Sequence, residues 1–323
     1  MAKAVRYHKQ GGPEVMQVDD VQVGDPGPGQ VRIRHTAIGV NFVDTYQRSG
    51  LYPMQLPAVA GNEGAGAVEA VGAGVTDLKA GDRITYTGLP GSYCEQRLAP
   101  ADRMVKLPQG ITEEQAASML LKGLTVHYLI FSTYPVKKGE TVLWHAAAGG
   151  VGLIACQWLK ALGVTTIATA GSADKMALAK AHGADHVINY STDNFAAKVK
   201  EITGGKGVPV VYDGVGKATW DGSLDCLRPR GLMVTFGNAS GPVPSVNLGI
   251  LSSKGSLYVT RPTLATHIAS RADLVERSNA LFDIVQSGKV KIETTAKYKL
   301  ADAAQAHRDL EGRRTTGSVV LIP

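Results

Sequence analysis

A turn of small residues is the stretch of this chain whose composition best suits binding of a charged ligand. Within Thr141–Gly152, TVLWHAAAGGVG, an apolar strand-like segment precedes the turn and a helix-forming segment follows it. Glycine lets the backbone approach an anion, and a helix N-terminus offers unpaired N–H groups with a partial positive charge. The stretch predicts a dinucleotide pyrophosphate site, the alternative being a tight turn in an ordinary strand–helix–strand unit. The turn residues expected to bind the cofactor are Ala148, Gly149, Gly150 and Val151.

The match to the dinucleotide pattern G-x-G-x-x-G departs from it at the first position. The chain places Ala147, Gly149 and Gly152 at the three glycine positions. The pattern alone is a weak signal, but here it lies between a predicted strand and a predicted helix, which is the context that pyrophosphate binding requires.

A second signal follows about 20 residues later, where a cofactor's adenosine ribose is read. NAD-preferring proteins usually carry Asp or Glu at this strand end, whereas this chain has Gly171 and Ser172. Lys175 adds a cation one helical turn on, although Asp174 next to it weakens the case. A hydroxyl and a cation without an anion favour a 2′-phosphate, so NADPH is predicted over NADH. Tyr190 could close over the same phosphate; the alternatives are a solvated lysine and a tyrosine packed in the core.

Elements that could position these residues alternate from Thr141 onward, which predicts a doubly wound parallel sheet. The predicted strands cover residues 141–145, 165–170, 186–190, 208–213, 231–236 and 255–260, and the predicted helices cover 151–162, 172–182, 194–203 and 217–227.

Residues 1 to about 100 have a different pattern, with about six short strands separated by Gly- and Pro-rich turns, the first expected over Val15–Val23 and the last over Gly91–Leu98. This spacing predicts a small, partly open β-barrel. Asn41 is expected to cap a short helix, and the long helix over 116–131 is expected to break near Gly123. The elements after Pro262 do not extend the alternation, so they are expected to fold back onto the first domain. The predicted domains are 1–124 completed by 264–323, and 125–263.

Composition describes an ordinary globular protein. The chain has 323 residues, 44% of them hydrophobic and 19% charged, and a formal net charge of +6. That charge suits an anionic cofactor, and no Lys/Arg block indicates nucleic acid. No apolar run is long enough for a membrane span and the N-terminus has no signal-peptide core, so a cytoplasmic location is expected. The three cysteines are far apart, which argues against disulfides and against a cysteine-built zinc site.

Five motifs occur along the chain: NFVDTYQRSGLYP from Asn41, GNEGAG from Gly61, AAAGGVG from Ala146, VYDGVG from Val211 and FGN from Phe236. Taken together, they resemble those of the zinc-free, ζ-crystallin-like quinone oxidoreductases of the medium-chain dehydrogenase/reductase superfamily. The resemblance spans essentially the whole chain and includes the alanine in the glycine turn. It implies a GroES-like catalytic domain, a Rossmann domain, NADPH as hydride donor and a homodimer joined along the Rossmann sheet edge.

The resemblance also implies further cofactor contacts. Phe236, Asn238 and Ser240 would line the nicotinamide or its ribose. Thr125 and Asn41 would hold the other side. Arg261 and Arg313 are weaker assignments, for which surface salt bridges are the alternative.

The zinc enzymes of this superfamily carry a cysteine where this chain has Asn41 and a histidine where it has Asn62. Amides are poor zinc ligands, so neither a metal nor a flavin is expected. Without a Lewis acid a conjugated acceptor is the easier substrate, because a quinone or enone spreads incoming charge over its own π-system. Asn41, Tyr46 and Tyr52 are the candidates to polarise its oxygen, although both tyrosine rings could simply be packed.

Two other functions are open at this point. One is an alkenal or enone reductase with incidental quinone activity. The other is an NADPH-regulated RNA-binding protein, against which the lack of charge clustering counts.

Overall fold

The computed structural model describes all 323 residues, arranged in sixteen strands and ten α-helices. The strands are β1 (Ala2–Tyr7), β2 (Met16–Val21), β3 (Gln30–Val40), β4 (Ala58–Val59), β5 (Glu63–Val71), β6 (Arg83–Thr87), β7 (Gln96–Pro100), β8 (Val105–Lys106), β9 (Thr141–Trp144), β10 (Thr165–Ala170), β11 (His186–Asn189), β12 (Val208–Asp213), β13 (Leu227–Thr235), β14 (Tyr258–Thr260), β15 (Thr294–Lys299) and β16 (Ser318–Ile322). The helices are α1 (Phe42–Ser49), α2 (Glu113–Tyr128), α3 (Gly150–Ala161), α4 (Ala173–Ala181), α5 (Phe195–Ile202), α6 (Trp220–Cys226), α7 (Gly249–Ser253), α8 (Leu264–His267), α9 (Arg271–Gln286) and α10 (Ala303–Glu311).

The chain divides into two compact units. The first comprises residues 1–124, 267–286 and 292–323, and the second comprises residues 125–266 and 287–291. No helix in the structure is both long enough and apolar enough to cross a membrane.

The second unit is built on a six-stranded parallel sheet in the order β11-β10-β9-β12-β13-β14. The order reverses between β9 and β12, and in such sheets ligands bind at the carboxyl ends of the strands beside that reversal. The doubly wound parallel sheet predicted from the alternating pattern is confirmed, because β9 pairs in parallel with both β10 and β12. Leu143, Ile167 and Val211 are fully buried within it.

The first unit contains a seven-stranded sheet and a smaller three-stranded sheet. Strand β3 is central, because it pairs antiparallel with β5, β7 and β16. Its pairing with β16 shows that the C-terminal strand completes this unit. Alternate side chains of β3, including Val31 and Ile33, are fully buried.

Helix α2 corrects one prediction made from the sequence. The helix runs without interruption from Glu113 to Tyr128, so Gly123 does not break it. A Cβ at position 123 would lie 2.4 Å from Leu281 Cδ1 of α9. The glycine therefore permits close packing between two helices, a role that its helix-breaking tendency does not reveal.

Sequence patterns also misplaced some short strands. Strand β1 was not anticipated, although five of its six residues are at least partly buried. The strand expected from Gly91 begins only at Gln96. Backbone groups before it pair elsewhere, because Tyr93 N–H donates to Ala60 O at 2.8 Å and Glu95 N–H donates to Lys3 O at 2.9 Å.

Candidate active site

Asn41 lies at the start of α1 with its side chain fixed by a buried carboxylate. It is the N-cap residue, as predicted, with extended backbone dihedral angles. Its Nδ2 donates to Glu63 Oε2 at 2.8 Å, and Glu63 Oε1 accepts the backbone N–H of Leu121 at 2.7 Å. Asn41 is only 5% exposed and Glu63 is fully buried. Glu63 thus holds the Asn41 amide from outside α1, while Asn41 and Asp44 also form a capping box at the N-terminus of the helix.

A buried lysine accompanies this carboxylate. Lys122 Nζ lies 3.6 Å from Glu63 Oε2, and its side chain is 7% exposed. The ammonium has no hydrogen-bonding partner, so it acts on Glu63 through charge. Burial raises the pKa of Glu63, while Lys122 and the N–H donors of Asn41 and Leu121 oppose that rise.

Gly39 makes room for the Glu63 carboxylate. A Cβ at this position would lie 2.3 Å from Glu63 Oε2 and 2.3 Å from the carbonyl oxygen of Ala117. Any side chain at position 39 would displace the carboxylate from Asn41.

Asn62 is held by a second buried carboxylate. Its Nδ2 donates to Asp44 Oδ1 at 2.8 Å and to Gln47 Oε1 at 2.6 Å. Asp44 Oδ2 also accepts the backbone N–H of Asn41 at 2.8 Å. Burial raises the pKa of Asp44 to about 6. Both Nδ2 hydrogens of Asn62 are thus used in hydrogen bonds within the protein. An amide nitrogen also has no available lone pair with which to bind zinc.

The hydrogen-bond network of Asp44 continues across the first unit. Tyr93 Oη donates to Asp44 Oδ2 at 2.9 Å and lies 3.0 Å from His307 Nε2. Arg48 Nη1 donates to His307 Nδ1 at 2.9 Å, which leaves Nε2 as the protonated nitrogen of a neutral ring. Burial and the neighbouring Arg48 lower the pKa of His307 to about 3. The network ties α1 to α10.

Tyr46 and Tyr52, the two candidate substrate contacts, lie together. Their ring centroids are 5.3 Å apart in an edge-to-face arrangement, and Tyr52 N–H donates to Tyr46 O at 3.0 Å. Both residues are half-buried. Phe42 packs against Tyr46 with a centroid distance of 6.1 Å, extending the aromatic surface along α1.

The glycine turn in the second unit joins β9 to α3. Gly149 is the N-cap of α3, and no side chain caps the helix, which leaves its first-turn N–H groups available to an anion. A Cβ on Gly152 would lie 2.5 Å from Ala147 Cα. The residue with a positive φ is Ala146, at 53°. Alanine is therefore accommodated at position 147 because the left-handed conformation falls one residue earlier.

The residues predicted to read the 2′-phosphate come together at the end of β10. A Cβ on Gly171 would lie 2.6 Å from Tyr190 Oη, so a larger residue at this position would push the tyrosine aside. Tyr190 N–H donates to Ala170 O at 3.1 Å. Ser172 caps α4 by accepting the Lys175 N–H at 3.4 Å, which leaves its hydroxyl hydrogen free to donate. Lys175 is half-buried on the first turn of the helix.

The remaining predicted cofactor residues occupy different environments. Ser240 Oγ donates to Val215 O and accepts from Ala218 N–H, so its hydroxyl stabilises a neighbouring loop. Arg261 donates to Thr235 Oγ1 and Gly237 O at 2.9 and 3.0 Å, beyond the end of β13. Phe236 packs against Trp144, and Asn238 and Thr125 are buried; all three predicted residues lie in the second unit. Arg313 follows α10 in the first unit.

Sequence reasoning did not assign a role to Glu63, Lys122 or Asp44. One signal was present for Lys122, which is a single charge within the otherwise apolar stretch from Ala116 to Phe131. A charge in such a stretch requires a buried partner. Nothing local indicated that the partner would be Glu63.

A parallel sheet with a glycine turn at its order reversal, in a chain that also contains a β-rich unit completed by the C-terminus, defines the class of medium-chain dehydrogenases/reductases. Residues 27–109 match the alcohol dehydrogenase GroES-like domain, and residues 150–277 match the zinc-binding dehydrogenase domain. The structure contains no group of three or more His, Cys, Asp or Glu side chains that could hold a metal ion.

Comparison with individual proteins narrows this class. The chain is 55% identical to a quinone oxidoreductase of Pseudomonas aeruginosa over the full length of both chains. The crystal structure of Escherichia coli quinone oxidoreductase complexed with NADPH is 52% identical, with a TM-score of 0.98 and full coverage of both chains. A 2-haloacrylate reductase from a Burkholderia species is 46% identical over 100% of this chain and 99% of that protein. The chain belongs to the quinone oxidoreductase family of the medium-chain dehydrogenase/reductase superfamily.

Proposed function

We propose that this protein reduces quinones by hydride transfer from NADPH, without a metal or a flavin. The observation that carries the proposal is its 53–55% identity, over full length, to three bacterial quinone oxidoreductases. The RNA-binding alternative has no comparable support. The cytoplasmic location expected from the sequence remains a prediction.

The second unit has a suitable site for NADPH. The uncapped N-terminus of α3 suits the pyrophosphate. Gly171 beneath Tyr190, with Ser172 and Lys175 on the next helix, offers space, a hydroxyl and a cation for the 2′-phosphate. When bound, NADPH supplies the hydride.

The first unit would supply the groups that contact the quinone. Tyr46 and Tyr52, whose ring centroids lie 5.3 Å apart, are proposed to direct their phenolic hydroxyls to a quinone oxygen. Asn41 is held in one orientation by Glu63. It is proposed to contact the quinone and the nicotinamide of the cofactor. Hydrogen bonds are sufficient in this chemistry because the negative charge is delocalised over the quinone. The amides Asn41 and Asn62 fit this route better than a zinc route.

The test of this proposal is stopped-flow oxidation of NADPH against a panel of acceptors. The panel contains 1,4-naphthoquinone, 1,4-benzoquinone, a simple enone and 2-chloroacrylate. We expect the quinones to be reduced fastest, with rates unchanged after treatment with a chelator. Faster turnover of the enone or the haloacrylate would contradict the proposal, as would loss of activity on chelation.

The coenzyme assignment has its own prediction. Lys175→Ala is expected to raise the KM for NADPH by about tenfold, because one charge-assisted contact to the 2′-phosphate is lost. The KM for NADH should hardly change, since NADH lacks that phosphate. Lys180→Ala, on an exposed part of the same helix, is the matched control. An unchanged ratio of the two KM values in Lys175→Ala would show that this lysine does not read the phosphate.

We also propose that the protein forms a homodimer through the outer edge of β14. This strand ends the six-stranded sheet, and Tyr258 and Val259 on it are 61% and 38% exposed. An apolar sheet edge of this kind is a template for pairing with a second copy.

A further inference from the structure

We propose that Glu63 and Lys122 form a positioning pair that fixes which side of the Asn41 amide faces the reactants. The inference rests on the proposed function, in which Asn41 binds on the reactant side. Glu63 acts on Asn41 by direct contact, and Lys122 acts on Glu63 through charge. No part of this pair is assigned a role by the sequence motifs.

The ionisation of Glu63 determines the direction of the amide. A carboxylate has only acceptors, so the group facing it must be the Nδ2 of Asn41, as the 2.8 Å contact shows. The carbonyl oxygen Oδ1 of Asn41 is then turned away from Glu63. A protonated Glu63 has both a donor and an acceptor, so it could pair with either the Nδ2 or the Oδ1 of Asn41. Keeping Glu63 charged therefore keeps Asn41 in one rotamer.

Lys122 is the group that keeps Glu63 charged. Glu63 is fully buried, which favours its neutral form, and the ammonium 3.6 Å away opposes this. Packing alone does not explain Lys122, because a buried ammonium is a costly way to fill space. An apolar side chain of similar length would occupy the same volume.

Other groups around Glu63 do not replace this charge. Asp44, Tyr86 and Tyr93 interact electrostatically with Glu63, and all three are buried. Asp44 would oppose a charge on Glu63 when it is itself ionised, and the tyrosines are neutral because burial raises the pKa of each. Lys122 supplies the positive charge that holds the pKa of Glu63 down.

The first test is the pH dependence of quinone reduction at saturating NADPH, from about pH 6 to about pH 9.5, the range in which buried glutamates titrate. Lys122→Met removes the charge and keeps the length, so the pKa of Glu63 should rise. We expect kcat of Lys122→Met to be about tenfold to a hundredfold below wild type at the acid end, from misplacement of the amide. It should recover as the pH rises and Glu63 ionises again.

Glu63→Gln and the double variant Glu63→Gln/Lys122→Met remove the titrating group. Both should have a lowered kcat with no alkaline recovery. Lys106→Met, which removes a surface lysine paired with Asp82 at 2.9 Å, is the matched control and should keep the wild-type profile. A uniform loss across the pH range in Lys122→Met, or an unchanged kcat in Glu63→Gln, would overturn the proposal.

A second measurement separates this proposal from the proposed function. In protein labelled with ¹⁵N-asparagine, the NMR chemical shifts of the Asn41 Nδ2 hydrogens should change with pH in Lys122→Met. They should not change with pH in the double variant. Their signals are identified by their loss in Asn41→Ala. This readout needs no substrate, so it reports on the pair even if quinones prove not to be reduced. An Asn41 signal that does not titrate in Lys122→Met would refute the positioning role.

Discussion

At the scale of single residues, buried histidines limit the stability of the fold in acid. Burial lowers the pKa of His35 to about 4 and, together with Arg48, that of His307 to about 3. In the unfolded chain both would titrate near pH 6.5. At pH values between the folded and the unfolded pKa of each histidine, the folded state binds fewer protons than the unfolded state. The free energy of unfolding therefore decreases as the pH falls below about 6.5. Asp44, whose pKa is raised to about 6, opposes part of this loss.

His307→Gln tests this account. Glutamine can still accept from Arg48 and donate to Tyr93, but it does not titrate. The free energy of unfolding should fall from pH 6.5 to pH 4.5 in both proteins, but by about 2 to 3 kcal/mol less in the variant. The reason is that the variant takes up one fewer proton on unfolding. Urea titrations at the two pH values measure the difference. Equal losses in both proteins would mean that His307 is not neutral in the folded state.

At the scale of elements, the contact between α2 and α9 depends on the absence of a side chain at one position. Gly123→Ala favours the helix by about 1 kcal/mol but places a methyl group against the buried Leu281, where overpacking costs about 1–3 kcal/mol. We expect Gly123→Ala to lower the thermal midpoint, and Leu281→Ala to lower it further by leaving a cavity. The double variant should be more stable than the sum of the single effects predicts, because the added methyl group partly fills that cavity. Strict additivity would show that the helices do not meet at Gly123.

At the scale of the whole molecule, the exposed edge of β14 sets the expected assembly. Val259→Lys places a charge on this edge, a substitution that disfavours pairing of strands between copies. Sedimentation should show a dimer for wild type and a monomer for the variant. Val18→Lys, at an exposed valine on the edge strand β2, is the control and should remain dimeric. A wild-type monomer, or a dimer in Val259→Lys, would exclude this interface.

Much of the molecule followed from local patterns. The alternating elements after Thr141 fixed a parallel sheet, since each strand and helix had its own periodicity and its own turn residues. The cap at Asn41 and the glycine turn were equally local, and both lie where they were predicted. Gly123 was misread because helix propensity is a local property, while the space that the glycine provides is filled by a helix 158 residues away in sequence.

What the sequence determined by itself was therefore the order of elements, the family and the residue types offered to the cofactor and substrate. The tertiary structure decided which buried charged and polar groups meet. Glu63 and Lys122 come from a strand and a distant helix, and Arg48 and His307 are 259 positions apart. Buried charges must find partners wherever the fold places them, because leaving them unpaired out of water costs several kcal/mol. No local pattern encodes that pairing, and for this reason the control of Asn41 became visible only in the folded chain.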